Sequence, residues 1–384
     1  MDSFSYHMPA EVVFGADALD RLPKLLAPYQ RPAIVCGRAS ARRSGALDAV
    51  LARAPGAIIL DGVAENPETE ACDELASACR EARADVLVAL GGGSVLDAAK
   101  AVALLAPNGG RCTDYFDPPA DPINPLPLIA IPTTAGTGSE VTPYAVLVDS
   151  HARRKKTLKH PGLFPAAALL DPALTLSMPR DVTLATGLDA LSQGMEGFVS
   201  RRATPITDLL ALDVCRRVAA ALPLACAEPD NLGARGELLY AAMLSGVVIA
   251  QTGTTLVHGM GYYYTLEHGI AHGAANALLL PPVFQWNAEH LPGKVAALAE
   301  ALGNPCASKP ESAAKAIATA LYRLYEALEF APAARDHGVS RDAAIQYAAD
   351  IVQDPYRFKN QVGNPDKESV RWIFLASWAG ESAS

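Results

Sequence analysis

Short runs of consecutive apolar residues alternate with helix-like stretches through the first half of the chain. Pro32–Cys36, Ala57–Leu60, Asp85–Leu90 and Pro127–Ile131 each read as a buried strand. Between the second and third, Pro67–Ala84 carries helix formers, with acidic residues early and Arg80 and Arg83 late, the order that the helix dipole favours. Continuous apolar strands alternating with helices predict a parallel sheet covered on both faces. From about Arg180 the pattern changes. Long helical stretches such as Pro205–Leu222, Gly233–Gln251 and Ser312–Leu328 dominate, and clear strands disappear. The pattern therefore predicts an α/β domain with a parallel sheet over residues 1–179 and an all-α domain over 180–384, divided near Asp171–Pro179.

Composition narrows the class. The chain has 384 residues, half of them hydrophobic (50%) and 19% charged, which excludes disorder along its length. A net charge of −9 argues against nucleic acid or an anionic membrane surface as the main partner. No charge-free apolar run reaches the ~18 residues that a membrane-spanning helix needs. The opening residues Met1–His7 lack the basic patch and apolar stretch of a signal peptide. Seven scattered cysteines without a Cys-x-x-Cys pair argue against a disulfide framework or a cysteine-rich zinc site. The expectation is a soluble, cytoplasmic, enzyme-sized protein.

Two loops carry candidate ligand chemistry. Gly91-Gly92-Gly93-Ser94 follows the strand ending at Leu90, and Val95–Lys100 then begins a helix that includes Asp97. Glycines let backbone approach a diphosphate, and a helix start offers unpaired N–H groups and a positive dipole end. The loop lacks the Gly-Lys-Ser/Thr of a Walker site and the standard Gly-x-Gly-x-x-Gly fingerprint, so an ordinary glycine turn is the competing reading. A second polar loop, Pro132–Thr142, follows the strand ending at Ile131 and contains Thr133, Thr134, Ser139 and Thr142. Two such loops at the carboxyl ends of strands in one sheet favour a dinucleotide crevice, and hence a dinucleotide-binding first domain.

The helical half holds a candidate metal site. Asp189 and Gln193 are four residues apart and share one helical face. His258 and His272 are fourteen apart, with glycines between them that would interrupt a helix. An aspartate with two histidines is a familiar donor set for a divalent metal, although a lone histidine is more often a hydrogen-bonded core residue.

Taken together, Gly91–Ser94 with Asp97, Pro132–Thr142, Asp171–Thr175, Gly187–Glu196, His258–Met260, and His272–Ala277 with Leu280-Pro281 resemble the iron-containing (group III) alcohol dehydrogenases over nearly the whole chain. The resemblance implies a dinucleotide-binding domain, a helical domain and a divalent metal, Fe2+ or Zn2+. It also implies reversible hydride transfer between a nicotinamide cofactor and a small alcohol or aldehyde, with aldehyde reduction the expected direction. It implies metal ligation by Asp189, His258 and His272. The third histidine of the family falls on Gln193, and a further active-site histidine falls on Tyr262. Asp189, His258, His272 and Tyr262 are thus the expected catalytic group, with Tyr262 donating or relaying a proton; its place in Tyr262-Tyr263-Tyr264 equally suits a pocket wall. His268 is a spare candidate, better read as structural.

The expected cofactor contacts are Arg38, Gly92, Gly93, Ser94, Asp97, Thr133, Thr134, Ser139, Thr142 and Lys155. Arg38 falls where NAD-preferring members often carry aspartate, so NADP(H) is expected over NAD(H). The basic run Arg153–Lys156 reads as a solvated hairpin rather than a nucleic-acid patch. Within it, Lys155, with Lys156 the adjacent alternative, resembles a family lysine that reaches the cofactor. A homodimer or larger homo-oligomer is expected. Two other readings stay open: a dehydroquinate-synthase-like lyase that uses NAD transiently, and a metal-free nucleotide-binding relative.

Overall fold

A computed structural model describes residues 3–116, 123–151 and 154–380. The chain divides into two compact units, His7–Met178, and Pro179–Ser384 together with Met1–Tyr6.

The first unit is built on six strands: β1 (Glu11–Phe14), β2 (Pro32–Gly37), β3 (Ile58–Val63), β4 (Val86–Gly91), β5 (Leu128–Pro132) and, after a two-stranded hairpin of β6 (Tyr144–Asp149) and β7 (Arg154–Lys159), β8 (Ala167–Leu170). The sheet order is β1-β8-β5-β4-β2-β3 and every neighbouring pair is parallel. Both faces are buried, as the unbroken apolar runs predict. Ala33, Val35, Leu87 and Ala89 enter one core cluster, while Ile34, Cys36, Val88 and Leu90 enter the other, the two-residue alternation of a pleated strand. β1, β6 and β8 were not among the strands expected from the pattern, whereas β7 carries Arg154–Lys156 of the basic run read as a hairpin. β1 and β8 have four residues each, and they pair with each other across more than half the domain, with β8 also paired to β5. Of the basic run, Arg154, Lys155 and Lys156 lie in the hairpin strand β7, and Arg153 lies outside the described residues.

The connections place a ligand edge. The chain runs from β2 out to β3, then returns to the other side of β2 as β4. Helices α1 (Thr69–Glu81) and α2 (Gly93–Asn108) flank β4 in sequence. The reversal between β2 and β4 is a topological switch point, where open parallel sheets bind ligands outside the strand ends.

The second unit is helical: α3 (Arg180–Val199), α4 (Pro205–Ala227), α5 (Leu232–Thr252), α6 (Leu256–His268), α7 (His272–His290) and α8 (Pro310–Ala327), among others. Local chemistry sets several ends. The Thr204 side chain accepts from the Thr207 N–H ahead of Pro205, and Asn231 caps α5 through Ala234. Gly269, at φ 65°, closes α6 in the left-handed region. By length and composition α5 could cross a membrane, but 72% of its most apolar window is buried inside the protein. α3 is buried from Gly187 to Val199 and is packed by α4, α5 and α7. A helix enclosed on all sides should be apolar, yet this one carries Asp189, Ser192, Gln193 and Glu196. Their partners define the site.

Candidate metal centre and cofactor loops

Asp189, Gln193 and Glu196 fall at i, i+4 and i+7 of α3, one stripe of the buried helix. α7 meets this stripe at its first turn because residue 273 is glycine. A Cβ there would lie 2.8 Å from the Asp189 backbone nitrogen and would collide with the Ala185 carbonyl oxygen. That close approach brings His272, the first residue of α7, beside Asp189. His258 arrives from α6. The His258 and His272 Nε2 atoms lie 3.5 and 3.8 Å from Asp189 Oδ1. One ligand atom from each of the three residues lies within 4.8 Å of the others. The structure thus brings together the three residues that the resemblance groups as ligands.

The surrounding groups orient this triangle. Glu196 is fully buried. Its Oε1 accepts from the Thr255 N–H (2.9 Å), the Thr255 hydroxyl (2.8 Å) and the His258 N–H (3.2 Å), and its Oε2 bonds His258 Nδ1. A carboxylate on Nδ1 leaves Nε2 turned toward Asp189, the arrangement that metal-ligating histidines use. Burial opposes a charge on His258, but Glu196 and Asp189 outweigh it and push its pKa up to about 10. Burial likewise pushes the Asp189 carboxyl up, but the His258 hydrogen bond and the two histidine charges hold it below the ordinary range.

Two amides complete the group. Gln193 Nε2 donates to Asp189 Oδ2 at 3.0 Å, while its Oε1 accepts from Ser245 Oγ at 2.7 Å. Asn276, one turn beyond His272, brings Nδ2 within 3.1 Å of Asp189 Oδ1, 3.3 Å of His258 Nε2 and 3.4 Å of His272 Nε2. Its buried Oδ1 has no hydrogen-bond partner. One carboxylate and two imidazoles around one point are a donor set that suits a divalent metal, and both amides face it through their nitrogens. The Tyr262 ring stacks on His272 at 5.4 Å and 24°. His268 instead bonds the Tyr347 hydroxyl at 2.8 Å, in keeping with a structural role. Glu196, Ser245, Thr255 and Asn276 received no role from sequence. Glu196 and Asn276 were accessible by helical spacing, from Asp189 and His272 respectively; Ser245 and Thr255 left no such signal.

In the first unit, register sets the expected cofactor residues side by side. Cys36 pairs with Leu90 and Gly91 with Pro132, so the turns after β2, β4 and β5 are neighbours. The Thr133 N–H bonds the Gly91 carbonyl at 3.0 Å. A Cβ on Gly92 would sit 3.1 Å from the Thr134 side chain, and one on Gly93 within 2.8 Å of Thr137 Oγ1, so glycine lets the two loops close together. Gly92 caps α2 without a side-chain bond, leaving the first N–H groups of the helix open to an anion. Gly92, Gly93, Ser94, Thr133 and Thr134 are all half-buried at this edge.

Asp97, Ser139 and Thr142 behave differently. Lys100, fully buried, donates to Ser139 Oγ (2.7 Å), Thr142 Oγ1 (3.1 Å) and the Tyr144 carbonyl (2.7 Å). Asp97 accepts from Ser139 Oγ (2.6 Å) and the Val146 N–H (2.9 Å). Burial lowers the Lys100 pKa to about 8 and raises that of neighbouring Glu140 to about 7. These side chains are spent on fastening the second loop to α2 and the hairpin. Lys156 pairs with Asp149 at 3.2 Å, whereas the charge of Lys155 is felt at Asp97. Arg38 is exposed beyond β2, its Nε donating to the Gly62 carbonyl at 3.3 Å, and Arg42 pairs with Asp61.

This combination of a parallel-sheet unit with glycine-lined strand ends and a helical unit with an aspartate–histidine cluster matches a known family. The "Iron-containing alcohol dehydrogenase" family matches residues 9–172, and the "Fe-containing alcohol dehydrogenase family, C-terminal" matches residues 183–378. The chain belongs to the iron-containing alcohol dehydrogenases. It is 34% identical over 369 residues to the 1,3-propanediol dehydrogenase of Klebsiella pneumoniae, covering 93% of this chain and 94% of that one. It is 42% identical over 219 residues to the probable alcohol dehydrogenase EutG of Salmonella typhimurium; that match spans 57% of this chain and only about half (55%) of the relative. Among solved structures, the sulfoacetaldehyde reductase of Bifidobacterium kashiwanohense in complex with NAD+ superposes with a TM-score of 0.89 at 27% identity, covering 99% of this chain and 100% of that one. These relatives are dehydrogenases and an aldehyde reductase, which disfavours the lyase alternative.

Proposed function

We propose that this protein is a nicotinamide-dependent, metal-assisted oxidoreductase that interconverts a small alcohol and its aldehyde, working as an aldehyde reductase. The observation that carries the reading is the Asp189–His258–His272 cluster, three ligand atoms converging on buried polar groups that are otherwise costly to enclose. Asp189, His258, His272 and Gln193 would hold the metal, which when bound supplies Lewis-acid stabilisation of charge on the substrate oxygen.

The chain's own residues supply the rest. Glu196 keeps His258 Nε2 turned inward by engaging Nδ1. Tyr262, stacked beside His272, is the proton donor or relay for the substrate oxygen, since its hydroxyl is the titratable group where the family carries a histidine. Gly92, Gly93 and Ser94 receive the cofactor diphosphate on backbone N–H groups at the start of α2, with Thr133 and Thr134 on the neighbouring loop. Asp97, Ser139 and Thr142 act on that cofactor indirectly, by fixing the second loop through Lys100. Arg38, exposed beyond β2, favours NADP(H) over NAD(H), because a guanidinium binds the 2′-phosphate that a carboxylate would repel.

The test is turnover of a panel of short aldehydes with NADPH and NADH, before and after chelation. Activity should disappear on chelation and return with Fe2+ or Zn2+. Full turnover by demetallated protein would instead mean that the Gln193 and Asn276 amides and the Tyr262 phenol bind the substrate oxygen directly.

A further inference from the structure

We infer that Ser245 is a positioning residue for the metal: its hydroxyl lets the Gln193 amide turn its oxygen, rather than its nitrogen, toward Asp189 and the two histidines. The inference rests on Asp189, Gln193, His258 and His272 being the ligand set.

Gln193 is the weak member of that set. Imidazole offers a nitrogen lone pair, whereas an amide coordinates only through oxygen, and its nitrogen can only donate hydrogen bonds. In the structure the nitrogen end faces the cluster: Nε2 donates to Asp189 Oδ2, and Oε1 accepts from Ser245. That arrangement suits a carboxylate without a cation beside it. The two ends of an amide are nearly the same size, so a half-turn exchanges them without moving neighbouring atoms. The turned amide puts Oε1 beside Asp189 Oδ2, two oxygens that repel unless a cation lies between them. It also puts Nε2 against Ser245.

Ser245 can meet both states because it has a second partner. Its Oγ lies 2.7 Å from Gln193 Oε1 and 2.8 Å from the Ala242 carbonyl one turn earlier on α5. One hydroxyl proton cannot serve both. Given to Gln193, it holds the amide nitrogen toward Asp189. Given to Ala242, it leaves an Oγ lone pair to accept from Gln193 Nε2, and the amide oxygen faces the ligands. Ser245 is fully buried and Gln193 nearly so, which leaves no room for solvent to play this part. A histidine at 193 has no amide to turn and would not need the serine.

The test uses the full chain loaded with Co2+ as a spectroscopic probe, with affinity measured by chelator competition and geometry by the visible absorption band. Ser245→Ala suits the helix and should fold; Ser245→Cys, a weak donor and acceptor, serves as the second variant. Ser245→Ala strands the buried amide oxygen in one orientation and the amide N–H in the other, and the orphaned N–H is the costlier, so Co2+ binding should weaken by about tenfold, the lower end of the range for losing an outer-shell partner. It should also shift the visible band, with Ser245→Cys intermediate. In a Gln193→His background the same substitution should change affinity by less than about twofold. No loss of affinity in the Gln193 protein, or an equal loss in both backgrounds, overturns the role of Ser245. Unchanged Co2+ affinity in Gln193→Ala overturns the ligand reading beneath it.

Discussion

Glu196→Gln tests the geometry of the metal cluster with the smallest change of shape. Glu196 Oε1 holds three donors between 2.8 and 3.2 Å, and Oε2 holds His258 Nδ1. A glutamine that keeps the three donors on its oxygen must place its NH2 against His258 Nδ1. The ring then presents Nδ1 as acceptor and carries its proton on Nε2, the atom that faces Asp189, where it blocks coordination. The opposite amide orientation strands all three donors. Either way metal affinity should fall by about 10- to 100-fold, which is roughly 1.4–2.8 kcal/mol.

The same substitution has a pH signature. Without metal, Glu196 and Asp189 outweigh burial and hold the His258 pKa at about 10, above the ordinary imidazole value of 6.5. Its contribution to stability is therefore complete below pH ~6.5 and is lost as pH rises through about 10. Metal-free native protein should lose thermal stability across that window. Glu196→Gln should be less stable at its lower end and show a flatter profile. Metal binding displaces the imidazolium proton, so native affinity should climb with pH over the same range. Thermal unfolding of both metal-free proteins between pH 6 and 10, with calorimetric titration of Zn2+, checks both effects. Native-like affinity and an unaltered pH profile in Glu196→Gln would refute the assignment of Glu196 as the group that orients His258.

Two further outcomes are expected. Arg38→Asp should lower kcat/KM for NADPH by about 10- to 100-fold, the worth of a charge-assisted hydrogen bond, while NADH is unaffected or improved; equal losses for both cofactors in steady-state assays would make Arg38 structural. Tyr262→Phe keeps the ring on His272 but removes the hydroxyl, so kcat should fall about 100-fold with Zn2+ affinity unchanged; a native kcat would leave Tyr262 as a packing residue.

Much of this protein is written in local pattern. The apolar runs Pro32–Cys36, Ala57–Leu60, Asp85–Leu90 and Pro127–Ile131 became β2–β5 because a strand buried on both faces has no polar positions to interrupt it. The glycine turn before α2 was legible because glycines directly after an apolar strand mark a tight turn into a helix start. Asp189 and Gln193 were legible as a pair because helical spacing alone puts them on one face. What the sequence could not settle depends on partners distant along the chain. β1 exists only by pairing with β8. Asp97, Ser139 and Thr142 look like ligand-binding polar residues until Lys100 is found buried among them. Ser245 is an ordinary serine on an apolar helix until α5 lies against α3 and sets its hydroxyl 2.7 Å from Gln193. A side chain's type and spacing state what it can bond, but burial and packing decide which bond it makes, because an enclosed polar group must take the partner that the fold brings to it.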